Sequence, residues 1–117
     1  MLARLIFIVA LAFGAGGCPG ADTPLPCDVD RVLEDKCRLC HGEPTAFGAP
    51  FELMSWEDTQ ATVKSQPVWE LMQDRVHDPA MPMPPRGLAQ LTADELAVLD
   101  AWFSAGAPPR ADDASCP

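Results

Sequence analysis

The sequence is poor in basic residues, with 8 Lys and Arg against 17 Asp and Glu and a formal net charge of −9. This shortage argues against binding to nucleic acid or to an anionic membrane surface, because both require a cationic protein face. The sequence also lacks an apolar run that could span a bilayer, since residues 5–13 form an unbroken run and a spanning helix needs about 20 residues. With 117 residues and no repeat or second domain in its pattern, the chain can form one small domain.

The first 17 residues have the layout of a secretory signal peptide. Residues 1–4 carry one positive charge at Arg4, residues 5–13 are apolar, and residues 14–17 are all small. We therefore expect the protein to be exported to the periplasm. Removal of the signal peptide takes away Arg4 and no acidic residue, so the formal charge changes from −9 to −10.

A cysteine follows this stretch directly. Ala15-Gly16-Gly17 ahead of Cys18 resembles a bacterial lipobox, whose cysteine becomes the lipidated N-terminus of the mature protein. The expectation is a protein anchored to a bacterial membrane through Cys18; the alternative is an ordinary cleaved signal, with Cys18 removed or left free. Residues 18–26 are rich in proline and small residues, which predicts a tether that holds the domain of residues 27–117 off the membrane.

The sequence Cys37-Arg38-Leu39-Cys40-His41 has the C-x-x-C-H pattern of a c-type haem attachment site. Two thiols one turn apart can each add to a vinyl group of the same porphyrin, and the adjacent imidazole then becomes the proximal iron ligand. A thioredoxin-like redox pair would need a surrounding βαβ pattern, which is missing. A structural zinc site would need four ligands, usually as two pairs, and only one pair is present.

The number of cysteines agrees with this interpretation. The sequence has five, of which Cys18 would take lipid and Cys37 and Cys40 would take haem. Cys27 and Cys116 then remain, and they are expected to form a disulfide, which export permits.

Hydrophobic spacing and capping residues predict an all-α fold of three to four short helices around one covalently bound haem. The predicted helices cover residues 28–40, 56–63 after a cap at Ser55, 68–76 after Pro67, and a last helix between a capping box at Thr92 and a stop at Gly106. The proline-rich residues 78–85 cannot form a helix.

Methionines in this proline-rich loop are candidates for a distal iron ligand. Met81 and Met83 each precede a proline and are therefore held in extended geometry, which can present a thioether to iron. His77 is the alternative sixth ligand, although its position beside Asp78 at a predicted helix end is typical of a solvated histidine.

Taken together, the C-R-L-C-H motif, the Met-Pro-Pro loop and the final helix resemble the class I cytochrome c domain, in its short bacterial Met-Pro-Pro form. The resemblance covers residues 27–109 and implies thioethers at Cys37 and Cys40 and a proximal bond from His41. It also implies a distal bond from Met83, with Met81 as the alternative. In this family a loop proline gives its carbonyl to the other imidazole nitrogen, and Pro50 is the best match. The first and last helices cross in this fold.

What the resemblance implies is a membrane-tethered, periplasmic electron carrier with one haem c, which is not an enzyme and has no evident small-molecule substrate. The negative charge predicts a redox partner with a basic docking face. Two other functions remain open at this point. One is a five-coordinate haem sensor or peroxidase-like protein, and the other is a non-haem lipoprotein that acts as a disulfide-stapled interaction module.

Overall fold

The computed structural model describes residues 23–112 and 114–117, which form four α-helices and one two-stranded antiparallel sheet. Helices α1 to α4 span Cys27–Lys36, Trp56–Gln60, Val68–Val76 and Ala93–Ser104, and strands β1 and β2 span Thr62–Val63 and Gln66–Pro67. The described part is thus rich in helix, with one small sheet that the all-α prediction did not include. The predicted signal peptide, Cys18 and residues 19–22 of the tether lie outside the described residues. Within the described ranges, no helix has the length and hydrophobicity needed to cross a membrane.

Helix α1 is shorter than predicted and ends before the Cys37–His41 motif. Its first turn carries Asp28 and Asp30, where the helix dipole favours acidic side chains. The carbonyl oxygen of Leu33 accepts from the backbone N–H groups of both Cys37, at 2.9 Å, and Arg38, at 3.0 Å. This double acceptance interrupts the helical hydrogen-bond ladder, so residues 37–40 form turns instead of the last helical turn.

Helix α2 begins as predicted and ends early. The Ser55 side chain accepts from the Asp58 backbone, and the Asp58 side chain accepts in return from the Ser55 backbone. Beyond Gln60 the chain enters a hairpin whose turn residues, Lys64 and Ser65, have φ values of 51° and 66°. Left-handed turns of this kind usually contain glycine or asparagine, so their absence explains why the sequence did not predict the hairpin.

Helices α3 and α4 follow the prediction closely. Helix α3 spans Val68–Val76 and is preceded directly by Pro67. Helix α4 begins after a complete capping box between Thr92 and Glu95, with distances of 2.9 and 3.1 Å. It ends before Gly106, whose φ of +86° suits glycine at a helix stop.

The first and last helices, α1 and α4, pack against each other, and α3 packs against α4. Lys36 Nζ lies 3.3 Å from Glu95 Oε1 and thereby joins the end of α1 to the start of α4. The buried apolar residues that form the core are Leu25, Val29, Val32, Leu33, Leu53, Val68, Met72, Leu99, Trp102, Phe103 and Ala107.

The two ends of the domain are tied together. Cys27 and Cys116, the predicted pair, form a disulfide with an S–S distance of 2.02 Å and a Cα–Cα distance of 5.4 Å. Arg110 reinforces this connection, since its backbone N–H donates to the Pro24 carbonyl at 3.0 Å and its Nε donates to the Leu25 carbonyl at 2.9 Å. The last residues therefore close over the start of α1.

Candidate functional site

A cavity of about 700 Å³ opens between the cysteine motif and the proline-rich loop. Cys37, Cys40 and His41 line it together with Met81 and Met83. The apolar part of the lining comprises Leu39, Phe47, Ala49, Pro50, Phe51, Leu53, Val63, Leu71, Met72, Val76, Pro84, Pro85, Leu88, Ala89, Leu91 and Leu99. Such a volume and such an apolar lining with a few polar groups are typical of a small-molecule or cofactor site.

A compact turn brings the motif side chains to the cavity. The Cys37 carbonyl accepts from the backbone N–H of Cys40 at 3.2 Å and from that of His41 at 2.9 Å. The chain then passes so close to itself that a Cβ atom on Gly42 would lie 2.6 Å from the Arg38 carbonyl oxygen. A glycine is therefore required here to let the chain turn back after His41.

The His41 imidazole is held by Phe51. Nδ1 of His41 lies 2.9 Å from the Phe51 carbonyl oxygen, and the two rings stack with centroids 4.8 Å apart and an interplanar angle of 26°. The Leu53 backbone N–H donates to the His41 carbonyl at 2.8 Å. A carbonyl can only accept, so Nδ1 carries the proton and Nε2 is left free to bind a metal.

This geometry corrects the expected role of Pro50. The carbonyl beside His41 belongs to Phe51, and Pro50 contributes only to the cavity lining. The His41 imidazole donates to the Phe51 carbonyl and the Leu53 backbone N–H donates to the His41 carbonyl, so residues 51–53 run beside His41. The Phe51 carbonyl thus occupies the position beside the imidazole that was expected of the Pro50 carbonyl.

The thiol of Cys37 is largely withdrawn from solvent. Burial raises the pKa of Cys37 to about 11, with smaller contributions from Arg38, which lowers it, and from Glu95 and Cys40, which raise it. The thiolate is the reactive form of cysteine in nucleophilic and redox chemistry. With so high a pKa, Cys37 stays a neutral thiol at neutral pH.

The proline-rich loop forms another part of the cavity wall. The backbone N–H of Met83 donates to the Arg75 carbonyl at 3.0 Å, which fixes Met83 to the end of α3. Asp78 Oδ1 accepts from the backbone of Ala80 at 2.8 Å and of Met81 at 3.1 Å, and these bonds lower the pKa of Asp78. The structure thus brings both candidate methionines to the cavity.

His77 is not brought to the cavity. It ends α3, is exposed, and places Nε2 2.7 Å from Asp100 Oδ1 on α4. The position at a helix end that the sequence indicated is therefore observed, and His77 does not share a wall with His41.

Sequence analysis missed two residues that shape this site. Phe51 supplies the carbonyl and the ring beside His41, and Arg38 donates to the Leu53 carbonyl at 2.8 Å and to the Met54 carbonyl at 3.3 Å. The apolar residues Phe51 and Leu53 on either side of Glu52 were the available signal that this segment packs against the core. No comparable signal marked Arg38.

Comparison of the chain with protein-family models, with curated proteins and with solved structures finds no match.

Proposed function

We propose that this chain is a monohaem c-type cytochrome that carries single electrons between redox partners. The observation that carries the proposal is that Cys37, Cys40 and His41 line the same cavity as Met81 and Met83. Two thiols, an imidazole and a thioether are the donor set of a covalently attached haem with histidine and methionine ligands.

The cavity suits such a group in its chemistry. Cys37 and Cys40 would hold the haem through thioether bonds, His41 through Nε2, and Met83 or its alternative Met81 through sulfur. The lining is predominantly apolar, as a porphyrin face requires. When bound, the haem supplies a one-electron iron couple whose potential a methionine ligand raises.

The protein's own contribution is to orient the ligands. The Phe51 carbonyl holds the proton on Nδ1 of His41 and so would leave Nε2 available to bind the haem iron. The Arg75 carbonyl holds the backbone of Met83. Two ligands that are held before and after electron transfer keep the reorganisation small, which is the requirement for an electron carrier as opposed to an enzyme.

The location and the partner belong to the same proposal. Export with a lipid anchor at Cys18 would hold the domain at the periplasmic face of a membrane, outside the cytoplasm, where bacteria attach c-type haem. The strongly acidic composition favours a redox partner with a basic docking face.

The test is production of the full chain in a bacterium that carries haem-attachment machinery. We expect haem that stays bound to the denatured polypeptide, a six-coordinate low-spin spectrum, and a reduced form that does not bind carbon monoxide. The double variant Cys37→Ala/Cys40→Ala should lose the covalent haem. The matched control Cys27→Ala/Cys116→Ala removes two cysteines outside the cavity and should keep it.

Other results would select the other functions. A high-spin reduced form that binds carbon monoxide would indicate an open distal site, and hence a haem sensor or a peroxidase-like protein. A colourless wild-type protein, made under conditions in which a reference cytochrome matures, would overturn the proposal and leave a disulfide-stapled interaction module.

A further inference from the structure

We infer that Arg38 is a positioning residue, which holds the His41 imidazole in place through the chain segment 51–54. The inference rests on the proposed function, because positioning matters only if His41 binds iron. Arg38 is one of the two residues between the motif cysteines, where the attachment chemistry itself places no demand on the side chain.

The guanidinium of Arg38 is fixed to helix α1 by two carboxylates. Its Nη2 lies 2.6 Å from Asp30 Oδ1 and its Nη1 lies 2.8 Å from Glu34 Oε2, and only 11% of the side chain is exposed. Burial by itself would lower the pKa of Arg38, but the hydrogen bonds to Glu34 and Asp30 outweigh it and raise the pKa. The group is therefore a charged donor anchored to helix α1.

The remaining donors of Arg38 bind the segment that carries the partner of His41. Nε donates to the Leu53 carbonyl at 2.8 Å, and Nη2 donates to the Met54 carbonyl at 3.3 Å. Leu53 in turn donates its backbone N–H to the His41 carbonyl at 2.8 Å. A closed ring of contacts thus joins Arg38, segment 51–54 and His41. The hydrogen bond from His41 Nδ1 to the Phe51 carbonyl is one of these contacts.

A close approach between the Arg38 backbone and Gly42 adds to these contacts. The space beside its carbonyl is so tight that Gly42 has no room for a Cβ atom, which would lie 2.6 Å away. The backbone of Arg38 is therefore packed against the turn that follows His41, while its side chain hydrogen-bonds segment 51–54. Arg38 thus constrains the surroundings of the imidazole in two ways. Its backbone packs against the turn after His41, and its side chain holds segment 51–54, which carries the Phe51 carbonyl.

A merely stabilising ion pair is the alternative, and its expected effect differs. Exposed ion pairs contribute little to stability, so the loss of such a pair would not loosen a neighbouring segment. Removal of the Arg38 guanidinium would instead leave the Leu53 and Met54 carbonyls without their donor, and so free the segment beside His41. Lysine cannot replace this fork, because a single ammonium cannot reach two carboxylates and two carbonyls together.

The test compares Arg38→Met with Arg110→Met in the haem-loaded protein. Arg110 is a matched control, since its Nε also donates to a backbone carbonyl, that of Leu25, at 2.9 Å and outside the cavity. Hydrogen exchange of the His41 Nδ1 proton and of the Leu53 amide, followed by NMR, is the readout. We expect Arg38→Met to speed both exchanges at least tenfold, and Arg110→Met to leave both unchanged at a comparable loss of stability.

Arg38→Lys provides the second variant and carries the test alone if Arg38→Met yields no holoprotein. It keeps the charge and should still speed both exchanges at least tenfold, with a displacement of the His41 ring-proton signals in the oxidised protein. Exchange and ring signals unchanged from wild type in the Arg38 variants would overturn the inference. Failure of the wild-type chain to bind haem covalently would instead overturn the proposed function, so the two failures are distinguishable.

Discussion

The carbonyl oxygen of Phe51 lies 2.9 Å from Nδ1 of His41 and thereby decides which imidazole nitrogen is free. At His77 the other imidazole nitrogen is hydrogen-bonded, because Nε2 of His77 lies 2.7 Å from the Asp100 carboxylate. The two histidines are therefore hydrogen-bonded through different ring nitrogens, His41 through Nδ1 and His77 through Nε2. Only His41 keeps Nε2 available at the cavity.

This contrast predicts opposite tautomers for the two neutral histidines. In protein made without haem, the neutral form of His41 should carry its proton on Nδ1 and the neutral form of His77 should carry it on Nε2. Long-range ¹⁵N–¹H NMR correlations measure both in one sample, so His77 is the internal control. A proton on Nε2 of His41 would contradict the observed geometry.

Met83 is expected to be the distal ligand, with Met81 as the alternative. The Arg75 carbonyl holds the backbone of Met83, and Met83 is 40% exposed against 62% for Met81. Met83→Ala should remove the sulfur-to-iron charge-transfer band and lower the potential by on the order of 0.1 V, within the ~0.8 V that axial ligands span.

Met81→Ala should leave that band in place, and so should Met54→Leu, which changes a similarly exposed methionine outside the cavity. Loss of the band in Met81→Ala alone would reverse the assignment. A band that survives both alanine changes would exclude methionine ligation.

The Cys27–Cys116 disulfide should contribute substantially to stability. It joins residues 89 apart in sequence, and closing a loop of that size contributes about 4 kcal/mol in the chain-entropy model. Cys27→Ser/Cys116→Ser should lower the free energy of unfolding by about that amount, measured by denaturant titration of the holoprotein. Thiol titration of the unfolded, unreduced wild-type holoprotein is the independent check, and two reactive thiols there would disprove the pairing.

The buried Cys37 thiol should make the haem-free protein less stable in alkali. Its pKa is raised from 9.0 in the unfolded chain to about 11 in the fold, so the unfolded state loses the proton first. Stability is therefore complete below about pH 9 and falls as the pH rises through about 11. Chemical denaturation at increasing pH measures the loss, and Cys37→Ala should abolish this part of it. In the holoprotein a thioether cannot ionise, so an equal alkaline loss there would contradict the assignment.

Electron transfer to a partner should slow as the salt concentration rises. The sequence has a formal charge of −9, which becomes −10 if the predicted signal peptide is removed, so attraction to a basic docking face would be screened by ions. Among the cavity and loop residues, Asp35→Asn should slow the reaction at low salt and Arg86→Gln should speed it, in each case about twofold. A partner with an acidic face would give the reverse result. Asp35→Asn would then speed the reaction, Arg86→Gln would slow it, and the rate would increase with salt. A cationic cobalt complex and an anionic iron cyanide provide partner-free measurements of the same local charge.

Local signals in the sequence account for the parts of the fold that were predicted well. The cap at Ser55, the proline at residue 67 and the capping box at Thr92 marked the starts of α2, α3 and α4, because each acts on backbone groups within three residues. Such short-range hydrogen bonding can be recognised without knowledge of the rest of the chain.

Helix ends and the hairpin depended on longer-range geometry. Helix α1 stops at Lys36 because one carbonyl, that of Leu33, serves two donors, and nothing in the residue types requires this. The hairpin after α2 turns through Lys64 and Ser65, which have no intrinsic preference for a left-handed backbone. Neither feature could therefore be recognised from local residue preference.

For the candidate site, the sequence by itself determined the donors, because the motif of residues 37–41 and the methionines before proline are chemical patterns that neighbours in the chain define. Only the tertiary structure decided that these two segments line one cavity and that Phe51, not Pro50, binds Nδ1 of His41. It also decided that Arg38 binds segment 51–54. The physical reason is that these contacts join residues ten or more positions apart. Their geometry follows from the path of the folded chain and from the burial of α1 against α4, which no local pattern specifies.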